Sequence, residues 1–430
     1  MPILHNSIKE YLDEDQKKDL LRFLTAGSVD DGKSTLIGRL MYDTRALYAD
    51  HLLSLKKESK RHGFLNGEID FSFVTDGLKD ERDLGITIDV AYRYFSTNKR
   101  KFIIADTPGH YRYTRNMITG ASTANLAVLL VDATRGICSQ TKRHAYLVSL
   151  IGIRHIILAV NKMDLVAYDE KVYKSICHDF DRIIEDLHIP DVQYVPISAL
   201  KGENVVQSTE KMAWYKGNSL LGYLETVPVR DNKNYHDLRM PVQYIINEAD
   251  KLKYYCLSIA SGTIEKGDNL LVLPGKEPVK IDAIIRNNSE QEFAFAGQTV
   301  ALKLGNSIEL ERGSLLVDPG SLPESGTAFW STMVWLDDLP LREGVSYLFK
   351  HLSTVCKTSK IEVDQRLDIN KLEMQKADSF GLNDIGLVKV CTNRQLFFDL
   401  YKNNRTTGAF ILIDPESYNT CAVGMICGTV

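Results

Sequence analysis

The chain has 430 residues, 44% of them hydrophobic and 25% charged, and its formal net charge is −4. That length exceeds one ordinary core and predicts three domains, while the balance excludes a disordered chain and gives no basis for a broad nucleic-acid- or membrane-binding face. The seven cysteines are dispersed without a C-x-x-C pair and the ten histidines lack H-x-x-H or H-x-x-x-H spacing, so the common zinc signatures are absent and any metal must come with a substrate.

The first residues, "MPILHNSIKEYLDEDQKKDL", show no basic segment leading into an apolar one. No apolar run approaches about 18 residues, so a cytoplasmic protein without membrane contact is expected.

From residue 21 to 224, short apolar runs alternate with helix-like segments. The runs "LRFLTA", "KFIIAD", "LAVLLVD", "HIILAVN" and "QYVPIS" are rich in β-branched residues, and their alternation predicts a mostly parallel sheet with helices on both faces. Ligands of open α/β sheets bind outside the carboxyl ends of strands, where these runs close on Gly, Asp, Asn or Ser. Beyond residue 226 the pattern turns to period-two strands and turns. The expected architecture is an α/β domain over 1–226 and two all-β barrels over 227–322 and 323–430.

The chemistry is concentrated in the α/β part. "GSVDDGKS", residues 27–34, lies between a predicted strand and a predicted helix and has the spacing of a phosphate-binding loop. Its backbone, from Gly27, Ser28, Val29, Asp30, Asp31 and Gly32, suits phosphate oxygens, and Lys33 reaches the outer ones. The Ser34 hydroxyl suits Mg²⁺, and Thr35 stands beside it in the binding set. Asp30 and Asp31 are unexpected where phosphate charge should repel carboxylates. The loop backbone, Lys33 and the metal supply the positive field, so the acids need only point away.

"KFIIAD" delivers Asp106, a second Mg²⁺ candidate, followed by Thr107, Pro108, Gly109 and His110. The Gly109 N–H, unhindered by a Cβ, can approach a γ-phosphate. In "NKMD", Asn161 and Lys162 frame Asp164, whose carboxylate matches the two donors of guanine rather than the edge of adenine. "SAL", Ser198, Ala199 and Leu200, ends the next strand, with the Ala199 N–H available to guanine O6. Residues 76–89 are charge-dense up to Gly85, and Thr87 fits a switch whose hydroxyl closes over Mg²⁺ and γ-phosphate. His110 is the candidate for orienting the attacking water. GTP with Mg²⁺ is the expected ligand, and the first domain reads as a P-loop GTPase domain that hydrolyses it.

With "GITID", "DTPGH", "NKMD" and "SAL" in order before two barrels, the chain resembles the translation-factor class of GTPases over its whole length. Within that class it is similar to the large, GTPase subunits of bacterial sulfate adenylyltransferase (ATP sulfurylase). The marks are "DDGKS", "DGLKDERDLGITIDVAYRYF", "YTRNMITGAST", "QTKRHAYLVSLIGIRHIILAVNKMDLV", "IGLV" and "TGAFILID".

The resemblance implies that GTP hydrolysis drives formation of adenosine 5′-phosphosulfate and pyrophosphate from ATP and sulfate. A separate small adenylyl-transferring subunit would make that bond, in a heterodimer or higher heteromer. It also implies that Asp30 supports the loop or a monovalent cation, and that Val29 and Ile86 flank His110. Tyr111 departs from the smaller or acidic residue usual after the histidine. Some relatives carry a fused adenylylsulfate kinase, which needs a second phosphate loop that this sequence lacks. The alternatives are a translation-factor-type GTPase that binds tRNA or the ribosome, and a GTP-binding scaffold without turnover. His110 and Thr87 argue against the scaffold.

Overall fold

A computed structural model describes residues 18–47, 50, 52–55, 59, 69–74, 81, 87–187, 189–228, 234–247, 253–305 and 309–430. Most of the charged segment 76–89, including Ile86, lies outside these residues. The chain divides into two compact units, Met1–Arg230 with Ile369–Leu372, and Asp231–Asp368 with Glu373–Val430.

In the first unit, β1 (Leu20–Ala26) leads through the phosphate loop into α1 (Lys33–Asp43). Then follow β2 (Ala91–Ser96), β3 (Lys101–Asp106), α2 (Thr114–Ala121), β4 (Leu126–Asp132), α3 (Ser139–Leu150), β5 (His155–Asn161), α4 (Glu170–Leu187), β6 (Asp191–Pro196) and α5 (Leu220–Thr226). The sheet order is β2-β3-β1-β4-β5-β6. All pairs are parallel except β2 with β3.

The central strand β4, "LAVLLVD", is buried at every residue, as a parallel strand covered on both faces must be. Strands β1, β3 and β5 contribute Leu21, Phe23, Ile104, Ile157 and Ala159 to one core, against Leu36, Ile37 and Leu40 of α1. This packing fixes the carboxyl ends of β1, β3, β4 and β5 side by side, and Thr25 pairs with Asp106 in register.

The second unit holds β7 (Arg239–Asn247) to β22 (Thr420–Thr429) and two closed six-stranded antiparallel barrels. In the first, β10 (Asn269–Leu273) pairs with β11 (Glu277–Arg286) to close a ring that also takes in β7, β8 (Lys253–Ser258), β14 (Thr299–Leu304) and β15 (Leu315–Val317), in the order β10-β15-β7-β8-β14-β11. In the second, β17 (Leu348–His351) pairs with β18 (Thr354–Asp368) to close a ring with β16 (Glu324–Trp335), β20 (Ile385–Phe398), β21 (Ala409–Ile413) and β22, in the order β17-β21-β22-β16-β20-β18. Each barrel fills its own core, around Val242, Leu257 and Leu302 in one and Phe329, Phe349 and Phe410 in the other.

Candidate nucleotide site

The loop between β1 and α1 is shaped by two residues in the left-handed region, Asp30 at φ 68° and Gly32 at φ 90°. Gly32 precedes α1 with no side-chain cap, which leaves the N–H groups of the first turn for an anion. A Cβ on Gly32 would strike Asn161 Nδ2 at 2.5 Å, so the loop lies directly against the β5 terminus.

Asn161 holds that contact from both sides. Its Nδ2 donates to the Asp31 carbonyl at 2.8 Å, and its Oδ1 accepts the Ala199 N–H at 2.9 Å. Lys33, buried beneath the loop, donates from Nζ to the carbonyls of Gly27 (3.1 Å) and Ser28 (2.8 Å). Burial pushes its ammonium pKa below the ordinary value, while Asp106, Asp31 and Asp30 pull the other way.

The two acids behave differently. Asp31 is buried and turns its carboxylate inward to accept the Ser28 N–H at 2.6 Å. Burial raises its pKa, against the pull of Lys33 and of that N–H. Asp30 lines the cavity.

Asp106, fully buried at the end of β3, accepts the Thr25 hydroxyl at 3.3 Å, and the Thr107 hydroxyl donates to the Thr25 carbonyl at 2.6 Å. At Gly109, a Cβ would collide with Lys33 Nζ, so the segment after β3 approaches the loop closely and only glycine fits. His110 follows with its Nδ1 accepting the Arg112 N–H at 3.3 Å and its ring 4.6 Å from that of Tyr111.

Lys162, at φ 62°, sends Nζ to Asp132 Oδ2 at 2.7 Å, which joins the ends of β5 and β4. Burial raises the Asp132 carboxyl, but hydrogen bonds from Lys162 and Thr134 outweigh it and hold the pKa below the usual range. Asp164 sits in the short turn Met163–Val166. The turn at Ser198 is closed by the Gly202 N–H donating to the Ser198 carbonyl at 2.8 Å.

A cavity of about 640 Å³ runs along these elements, a size typical of small-molecule sites. Of the residues expected from sequence, Val29, Asp30, Gly32, Lys33, Ser34, Thr35, Thr87, Gly109, Asn161, Lys162, Asp164, Ala199 and Leu200 line it. Gly27, Ser28, Asp31, Asp106, His110 and Ser198 do not. Asp70, Ser72, Phe73 and Leu165 line it as well and were missed.

Three of the missed residues come from a turn that includes Phe71–Val74, seated on α1. A Cβ on Gly38 would run into the Phe71 carbonyl, and the Arg39 guanidinium lies 5.3 Å from the Phe71 ring centroid. A glycine in the middle of a helix was the available signal for that close approach.

Hydroxyls of Ser34 and Thr87 and the Asp106 carboxylate are hard oxygen donors of the kind Mg²⁺ takes together with phosphate oxygens. Among the described residues there is no cluster of three or more His, Cys, Asp or Glu side chains placed to hold a metal ion. Among them, too, no helix is long and apolar enough to cross a membrane.

Residues 18–253 match the elongation factor Tu GTP-binding domain family, and residues 328–427 match the GTP-eEF1A C-terminal domain-like family. Sulfate adenylyltransferase subunit 1 of Bacteroides thetaiotaomicron is 49% identical over 98% of this chain and 89% of its own length. The protein of the same description from Alteromonas mediterranea is 46% identical over 99% and 90%. A bifunctional enzyme CysN/CysC of Rhodopirellula baltica is 44% identical over 99% of this chain and 66% of its own length.

Proposed function

Because the chain belongs to the sulfate adenylyltransferase subunit 1 family and carries an elongation-factor-type GTP-binding domain, we propose that it hydrolyses GTP to drive sulfate activation. The adenylyl transfer that yields adenosine 5′-phosphosulfate and pyrophosphate would then occur on a separate small subunit. The observation that carries the nucleotide part is one continuous cavity lined from Lys33 to Asp164, with donors suited to phosphate at one end and a carboxylate at the other.

In this reading domain 1–226 does the hydrolysis, with barrels at 227–322 and 323–430. The 27–34 loop and Lys33 hold the phosphates. Ser34, Thr87 and Asp106 hold Mg²⁺, which neutralises phosphate charge when bound. Asp164 selects guanine, with Asn161, Lys162, Ser198, Ala199 and Leu200 building that end; the Ala199 N–H, expected to reach guanine O6, is instead taken by Asn161 Oδ1. Thr87 closes on the γ-phosphate and His110 orients water. The protein works in the cytoplasm.

The test is labelled sulfate with ATP, with and without GTP, on this chain, on the small subunit and on the mixture. GTP-stimulated product in the mixture alone is expected. Product from this chain alone would overturn the division of labour, and GTP turnover stimulated by ribosomes but not by the small subunit would favour a translation factor.

A further inference from the structure

The backbone beside Thr87 is gripped from two sides. Ile88 donates its N–H to Glu81 Oε1 at 3.0 Å, and the Asp89 N–H reaches the same oxygen at 3.3 Å. From the opposite side, Asn116 Nδ2 donates to the Ile88 carbonyl at 2.6 Å. Glu81 is 5% exposed, so its side of the grip is shielded from water.

Asn116 stands on α2, one helical turn before Gly120. A Cβ on Gly120 would lie 2.7 Å from Thr107 Cγ2 and 3.4 Å from Val90 Cγ1. One face of α2 is therefore keyed, at i, i+4 spacing, to Ile88 and Val90 and to the end of β3. The lead-in to the same helix is the turn Tyr111–Tyr113, which His110 caps. Thr87 and His110 thus hang on one helix, the first through the Ile88 carbonyl and the second through the chain.

We propose that Asn116 is a positioning residue that couples the placement of Thr87 to that of His110. The proposal rests on the reading that these two residues act at the γ-phosphate. A diphosphate offers Thr87 nothing to close on, so the Asn116 bond matters for GTP and not for GDP.

Asn116→Ala is expected to raise the Kd of a non-hydrolysable GTP analogue about 3- to 10-fold and lower kcat at least as much, with the GDP Kd within about twofold of wild type. Asn116→Leu is close in size, lacks the donor, brings no charge and should behave alike, and it carries the test should the alanine variant fail to fold. In a Thr87→Ala background the Asn116 change should add nothing, since both act through one contact. Equal loss of GTP and GDP affinity, no loss, or additivity with Thr87→Ala would each overturn the coupling. A Thr87→Ala variant that keeps wild-type turnover and GTP preference would remove the reading of Thr87 and the coupling with it. Normal Asn116 variants beside a defective Thr87→Ala remove the coupling alone.

Discussion

Asn161 and Asp31 are joined by a 2.8 Å hydrogen bond from side-chain amide to backbone carbonyl, which ties the base end of the cavity to the phosphate loop. The other side of the Asn161 amide accepts the Ala199 N–H, so one residue sets the spacing between both ends. Asn161→Ala removes two buried hydrogen bonds and should weaken GTP and GDP alike, by about 10- to 100-fold. Isothermal titration with each nucleotide checks it, and a loss confined to GTP would contradict the assignment.

Much of this arrangement was legible in the sequence because it is local. The "GSVDDGKS" spacing fixes a loop and a helix N-terminus, and strand ends place Asp106 and Asn161 beside it. Phe73 and Asp70 were not legible, since they reach the cavity through packing of their turn on α1 more than thirty residues away in sequence. Gly38 was the trace of that packing. The two barrels were expected from the strand and turn pattern, but not which strands join their edges, because alternation identifies strands and does not assign the β10–β11 and β17–β18 pairs.

Base selection gives the second prediction. Asp164 lines the cavity with Ala199 and Leu200. Asp164→Asn should lose GTP affinity and gain affinity for xanthosine triphosphate, because the amide donates where the carboxylate accepted. Competition between the two nucleotides decides it, and a variant that still prefers GTP shows that Asp164 is misassigned.

His110 packs its ring beside Tyr111 and takes no part in lining the cavity. A role in orienting water requires it to turn toward the nucleotide during turnover. His110→Ala should then keep GTP affinity while hydrolysis falls about 100-fold, since the contact is made only in the transition state. Parallel loss of binding and turnover would return the residue to a structural role.

Within the second unit the two barrels are fastened by Arg239 of β7, whose guanidinium meets both oxygens of Asp399 at 2.9 Å. Arg239 is 2% exposed, and its Nη1 donates to the carbonyls of Leu238 and Ser321. Asp399→Ala leaves a buried cation uncompensated and should cost about 3–5 kcal/mol in urea unfolding of the second unit. A loss below about 1 kcal/mol, the scale of exposed pairs, would mean that water replaces the carboxylate.

His144 on α3 contributes to the pH dependence of the first unit. It is 2% exposed, its Nε2 lies 2.9 Å from Gln140 Nε2, and its Nδ1 makes no hydrogen bond among the described residues. Burial, with the charges of Lys33 and Arg143 adding to it, lowers its pKa to about 3, against the ordinary 6.5. Between those values the unfolded chain binds a proton that the folded chain refuses, so unfolding is favoured as pH falls. The stabilisation is complete above pH 6.5 and erodes below it, by about 1.4 kcal/mol per pH unit until the folded pKa is reached. His144→Gln, which cannot titrate, should flatten the decline in thermal midpoint between pH 6 and 5 while other groups continue to contribute. An unchanged slope in that variant would show that His144 takes up its proton in the folded state.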